Sequence, residues 1–142
     1  MIGPKILPGY FLLTRNEVFQ NPTVGYWNHC AIATEEGIVE AQEEPGLVIL
    51  SDKEEFWNRY PEILVLEMST NPNIIKDMTE KAKSLIDSKY RKIASLFWWM
   101  RKNKGENCVS VVRKCYLVGF KKDPDWIIPD EIVSFGKVIF KK

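Results

Sequence analysis

Residues 29–42 constrain the fold more than any other stretch. Two short apolar runs, His29-Cys30-Ala31-Ile32-Ala33-Thr34 and Ile38-Val39-Glu40-Ala41-Gln42, are separated only by Glu35-Glu36-Gly37. Runs of this length suit strands, and a Gly-containing turn between two of them reads as a β-hairpin. The spacing predicts antiparallel strands over about 29–34 and 38–42. Side chains alternate across a strand, so residues 29, 31 and 33 share one face, as do 38, 40 and 42 on the next. A tight hairpin sets the two rows side by side. The only histidine in 142 residues, His29, therefore comes beside Glu40 or Gln42.

The other segments extend this unit. Pro8-Gly9 is a turn signal, and Tyr10-Phe11-Leu12-Leu13-Thr14 reads as a buried strand. Residues 15–20 suit a helical turn closed by Asn21-Pro22. Leu47-Val48-Ile49-Leu50 continues the run of strands. Ser51-Asp52-Lys53-Glu54 fits the S-x-x-E capping box and predicts a short helix to about Tyr60, anchored by Phe56 and Trp57 and stopped by Pro61. Glu62 to Met68 is the most strand-like stretch in the chain. Asn71-Pro72-Asn73 breaks it, and apolar residues at 74, 75, 78, 82, 85 and 86 predict a helix from Ile74 to about Ser88. Cys108 to Val118 is rich in β-branched residues, but Val109, Val112, Tyr116 and Leu117 recur at helical spacing. Asn107 is a good N-cap, and Gly119 would close the helix. Pro129 starts another short helix, and Lys137 to Phe140 suits a last strand. The architecture expected is α+β: a mainly antiparallel sheet with the Cys108 helix and one long helix packed on it, in a single domain spanning 1–142.

Composition narrows the function classes. Hydrophobic residues make up 45% and charged residues 27%, with a net charge of +1. No strong field points to nucleic acid, and no apolar run approaches the ~20 residues of a spanning helix. The first nine residues carry one charge and two prolines, unlike a signal peptide, so the expected location is the cytoplasm, with no stable membrane insertion. Three cysteines, Cys30, Cys108 and Cys115, form no disulfide framework. With one His and no C-x-x-C, a structural zinc site is not expected, and no cofactor is implied. Residues 76–104 carry nine Lys/Arg against three Asp/Glu and include Phe97-Trp98-Trp99. A solvated helix face and a core cluster are the ordinary readings. A peripheral membrane contact is the sharper one.

Among the thiols, position singles out Cys108. In the first turn of its helix, unpaired N–H groups and the positive end of the helix dipole stabilise a thiolate. Cys115 lies two turns on, away from that end. Cys30 follows His29 on its strand, so its side chain faces the other way and suits the core. A thiol nucleophile needs a base within hydrogen-bond reach and a group to orient that base. His29 is the only imidazole available. Glu40 would orient it and stabilise imidazolium, whereas Gln42 could only hydrogen-bond. A structural histidine among Ala, Ile and Ala is the ordinary alternative.

The motifs in order resemble those of the permuted NlpC-type, papain-like cysteine hydrolases, the YiiX/YebB-like group. A Pro-Gly-led strand is Pro8-Gly9-Tyr10-Phe11-Leu12-Leu13-Thr14. An aromatic-x-His-aliphatic strand is Trp27-Asn28-His29-Cys30-Ala31-Ile32, followed by the Gly37 turn and Ile38-Val39-Glu40-Ala41. An Asn-Cys helix start is Asn107-Cys108-Val109-Ser110-Val111-Val112, and a Pro-acidic start is Pro129-Asp130-Glu131. The resemblance runs from about residue 8 to 140. Tyr10 stands where an acidic residue is usual, Cys30 where a small aliphatic is usual, and the hairpin is about one residue short.

The resemblance implies a permuted papain-like fold, an antiparallel sheet or half-barrel against the Cys helix, in which His29 precedes Cys108. It implies a thiol hydrolase or acyltransferase acting through an acyl-enzyme. Cys108 would be the nucleophile, His29 the base and then acid, and Glu40 the orienter, with Gln42 as the alternative. The Cys108 backbone N–H would serve the oxyanion hole, and Tyr26 would be its second donor. Trp27 and Gln42 would lie at the substrate. Expected substrates are a peptide, a peptidoglycan fragment or an acyl amide. A lipid-directed acyltransferase or esterase and an inactive binding module are the alternatives.

Overall fold

The sheet grows outward from the hairpin. The computed structural model describes residues 4–15, 25–89 and 107–142. Within them β1 (Tyr10–Arg15), β2 (His29–Ala33), β3 (Ile38–Gln42), β4 (Leu47–Ser51), β5 (Glu62–Glu67) and β6 (Lys137–Lys141) form one six-stranded sheet. Its order is β4-β3-β2-β1-β5-β6, and each pairing is antiparallel. Three α-helices accompany it among the described residues: α1 (Lys53–Arg59), α2 (Pro72–Ser84) and α3 (Cys108–Phe120). A 3-10 helix spans Pro129–Phe135. The architecture is α+β.

Strand alternation divides the apolar residues between two layers. Phe11, Leu13, Cys30, Ile32, Val39, Leu64 and Leu66 face α2, α3 and Trp126. Leu12, Ala31, Ala33, Ile38, Ile63 and Val65 face α1 through Phe56, Trp57 and Tyr60. β1 is therefore buried on both sides, which explains its unbroken apolar run. Each fully buried Leu, Ile or Phe here contributes about 1.5–3 kcal/mol from apolar burial.

Several boundaries differ from the sequence expectation, each for a local reason. Asn71-Pro72 begins α2 rather than breaking the chain before it: the Asn71 side chain accepts the Asn73 N–H, and Pro72 occupies the first turn, where its missing N–H removes no bond. α2 ends at Ser84, short of Ser88. Ser51 does not cap α1. It ends β4, and Asp52 accepts the N–H groups of Glu54 and Glu55 instead. Gly119 does not close α3, which runs on to Phe120 and ends at Lys121 in the left-handed region. A Cβ at Gly119 would stand 2.6 Å from Met78 Cγ and 3.1 Å from Ile74 Cγ2, so this glycine lets α3 lie close against α2. The expected turn over residues 16–20 and the Phe97-Trp98-Trp99 cluster lie outside the described residues, as does most of the basic segment beyond Lys89.

Candidate active site

The β2–β3 ladder pairs Ile32 with Val39 and Ala33 with Ile38, and His29 opens β2 beyond the paired stretch. By alternation His29 and Glu40 fall on the α1 side of the sheet. There His29 Nε2 meets Glu40 Oε1 at 2.9 Å. The His29 side chain is 14% exposed and that of Glu40 not at all. The imidazole also stacks on Tyr60, with ring centroids 5.7 Å apart.

A buried carboxylate without partners would be expelled or protonated. Glu40 instead gathers donors from three elements. Arg59 Nη1, at the end of α1, donates to Oε2 at 2.9 Å. The Ser51 hydroxyl donates to Oε2 and the Gln42 amide to Oε1. The Tyr60 hydroxyl lies 3.5 Å from Oε1 and accepts from Gln42 Nε2 at 3.3 Å. Burial alone would raise the Glu40 carboxyl. The bond to His29 and its charge, then Ser51 and Arg59, outweigh burial and bring it down to about 2. Gln42 thus touches Glu40, and Glu40 touches the ring.

Cys108 belongs to the other layer. It is the first residue of α3, and Asn107 caps that helix reciprocally with Ser110. The capping box engages the N–H groups of Asn107 and Ser110, and those of Cys108 and Val109 lie outside it. The Cys108 thiol and the His29 ring act on each other electrostatically, each shifting the titration of the other. Burial would lower the His29 pKa, but the bonds to Cys108 and Glu40 hold it well above its ordinary value. The Cys108 thiol is held well below its own, first by a hydrogen bond from Cys30 and then, against burial, by His29. Both shifts favour the thiolate and imidazolium forms of the pair.

Strand alternation turns Cys30 away from His29, as expected, but this does not remove it from the site. Cys108 lies in the same apolar layer as Cys30, and the influence of Cys30 lowers the Cys108 thiol while that of Cys108 raises Cys30. The sequence contained the alternation, but nothing in it told which layer α3 would join.

Tyr26 and Trp27 immediately precede β2. Gly25, at φ +85°, admits Asp130, whose carboxylate accepts the N–H groups of Tyr26 at 2.9 Å and Trp27 at 2.7 Å. The Tyr26 ring lies under the Arg15 guanidinium, and its hydroxyl donates to Glu62 on the exposed side. Trp27 is buried in the same apolar cluster as Cys108. Asp130, Ser51, Arg59 and Tyr60 were not singled out by sequence as residues of the site. Their contacts span 11 to 104 residues and leave no local signature.

No protein-family model and no curated protein sequence matches this chain. Among solved structures it is similar to the metalloprotein YiiX of Escherichia coli O157:H7, DUF1105, with a TM-score of 0.64 and 14% identity over 83% of this chain and 68% of that one. Among the described residues here, no group of three or more His, Cys, Asp and Glu side chains is arranged to hold a metal ion. No helix among them is long and apolar enough to cross a membrane. At this identity the likeness establishes the fold: the chain shares the α+β fold of YiiX.

Proposed function

We propose that the protein is a cysteine hydrolase of the permuted NlpC-type, papain-like kind, cleaving an amide bond through a thioester. The carrying observation is the His29 imidazole bonded at 2.9 Å to the fully buried Glu40 carboxylate, with the thiol of Cys108, first residue of α3, raising the titration of that ring. In the reaction the Cys108 thiolate attacks the amide carbon, and the carbonyl oxygen takes the negative charge. The backbone N–H groups at the start of α3 would receive that charge. Collapse breaks the C–N bond, and the amine leaves with the proton from His29. Neutral His29 then takes a proton from water, the hydroxide attacks the thioester, and Cys108 departs as thiolate with the acid product.

An amide is favoured over an ester because an amine must be protonated to leave. His29, held as imidazolium by Glu40, supplies that proton. Glu40 fixes the ring through Nε2, which leaves Nδ1 as the nitrogen to serve the thiol.

Iodoacetamide labelling across pH tests the reading. Cys108 should alkylate at pH 6, well below the range of an ordinary thiol, and His29→Ala should slow it about tenfold or more there. Labelling of Cys108 only in alkaline solution, unaffected by His29→Ala, would refute it.

A further inference from the structure

The His29 imidazole is engaged at its edge by Glu40 Oε1 and on its face by the Tyr60 ring. We propose that Tyr60 is a positioning residue for the base: its ring carries the imidazolium form of His29, and its hydroxyl is tied through Gln42 to the carboxylate that orients the same imidazole. This rests on His29 being the base of the hydrolase.

Three observations carry it. The two rings are stacked, 5.7 Å apart between centroids and 27° from parallel. That is within the ~6 Å at which an aromatic face attracts a cation. Tyr60 is itself held in place. It is 6% exposed, its ring lies 5.0 Å from that of Phe56, and Lys142 Nζ donates to its carbonyl at 2.8 Å. It is the C-cap of α1, in an extended conformation, so the end of the helix sets where the ring stands. Finally, Gln42 Nε2 donates to the Tyr60 hydroxyl at 3.3 Å and also to Glu40 Oε1, the oxygen that meets His29. One amide thus joins the two groups that hold the imidazole. Tyr60 belongs to the apolar cluster under α1, and packing alone would explain its burial. Packing does not explain a ring and a hydroxyl that address one base.

The direction of the effect follows from charge. The faces of a phenol ring are negative, so a protonated imidazole stacked there is favoured over a neutral one. The remaining groups around His29 come from three other elements and from the end of α1. Glu40 on β3 favours imidazolium, as does the Cys108 sulfur at the start of α3. Arg59 opposes it, but its guanidinium is bonded to Glu40 Oε2 at 2.9 Å. Thr14, cross-strand from His29 on β1, carries no charge. Removing the Tyr60 face should therefore weaken the hold on the imidazolium proton, while Glu40 keeps its own share. In the proposed reaction that proton is the one the leaving amine takes.

The chain has one histidine, so the Cε1 proton of His29 can be followed alone by NMR across pH in the full chain. Tyr60→Leu should lower the His29 midpoint by about half to one pH unit. Tyr60→Phe keeps the face and drops the hydroxyl, and should stay within about 0.3 unit of the wild type. In the wild type at pH 6 the His29 and Tyr60 ring protons should show a nuclear Overhauser contact. A midpoint unmoved in Tyr60→Leu would overturn the proposal. So would a Phe variant that falls as far as the Leu variant. Should Tyr60→Leu fail to fold, the other two measurements decide: no ring-to-ring contact in the imidazolium form would overturn the proposal, and a contact with an unmoved Phe midpoint would support it. Iodoacetamide labelling separates this inference from the hydrolase reading. His29-dependent labelling of Cys108 at pH 6 with an unmoved Leu midpoint would sink the role of Tyr60 alone. A lowered midpoint with alkaline-only labelling, indifferent to His29→Ala, would sink the hydrolase and leave the stack standing.

Discussion

Arg59 Nη1 lies 2.9 Å from Glu40 Oε2, so the last turn of α1 neutralises a carboxylate with no solvent exposure. Through Glu40 the helix bears on His29. Arg59→Met should therefore weaken the fold and the site together. A fully buried pair costs about 3–5 kcal/mol to break by removing one partner. The Arg59 side chain is 37% exposed, and solvent screening brings the expected loss down to about 1–2 kcal/mol. Urea denaturation measures it. Arg59→Lys should recover part of the stability, because it keeps the charge but not the planar fork. A Met variant as stable as wild type would show that Ser51 and Gln42 suffice.

Glu40 also sets an acid limb. Its carboxyl is lowered from 4.5 to about 2. A depressed folded-state pKa gives stability that is present above pH 4.5 and lost as pH falls through about 2. The expected loss is roughly 3 kcal/mol at most, at 1.36 kcal/mol per pKa unit. The urea midpoint should fall steadily between those pH values, and Glu40→Gln should flatten that slope. Above pH 6.5 the picture differs. The raised His29 loses stabilisation as pH rises, while the depressed Cys108 gains it up to about its ordinary pKa, so the two effects oppose.

Gly119→Ala isolates the α2–α3 contact. Alanine favours an exposed helix interior over glycine by about 1 kcal/mol. Here the new methyl would meet Met78, which is fully buried, and the Ile74 carbonyl at 3.3 Å. Overpacking of this kind costs about 1–3 kcal/mol, so the net change should be destabilising, read as a drop in thermal midpoint. Adding Met78→Ala to Gly119→Ala should cost less than Met78→Ala alone, since the methyl then fills space. Simple additivity in that double-mutant cycle would contradict the contact.

Asp130 ties the residues just before His29 to the far end of the chain. Asp130→Ala leaves the Tyr26 and Trp27 N–H groups without their acceptor. Such unsatisfied donors cost about 1–3 kcal/mol where buried. The Trp27 donor is part-buried, so about 1–2 kcal/mol is expected, together with faster amide exchange at residues 25–28. Asp130→Asn keeps one acceptor oxygen and should fall between. Unchanged exchange in the Ala variant would rule out this anchoring.

Much of the frame was legible because it depends on short-range pattern. The hairpin register follows from two alternating runs about one Gly turn, and the same alternation puts both Glu40 and Gln42 on the His29 face without choosing between them. The α3 start at Cys108 was readable from Asn107. What escaped was long-range or ambiguous. Ser51 has the residue type of a cap, yet its hydroxyl serves Glu40, because β4 carries it opposite Ile38 on the hairpin face. Gly119 has the type of a helix stop, yet its lack of Cβ is used against Met78. Arg59 reads as an ordinary cation at a helix C-terminus. Cys30 was turned to the correct face, but the partner on that face depended on tertiary packing, which periodicity does not encode.

His29 rests in the layer held by α1, and Cys108 in the layer held by α3; the sheet lies between. The lowering of the Cys108 thiol is thus a joint property of two cores. Local opening of either layer would separate imidazole from sulfur and leave an ordinary thiol, well before the chain unfolds as a whole. In the proposed hydrolase a misassembled or partly opened copy would disarm itself, and the reactivity of one sulfur would report whether both halves of the molecule are in place.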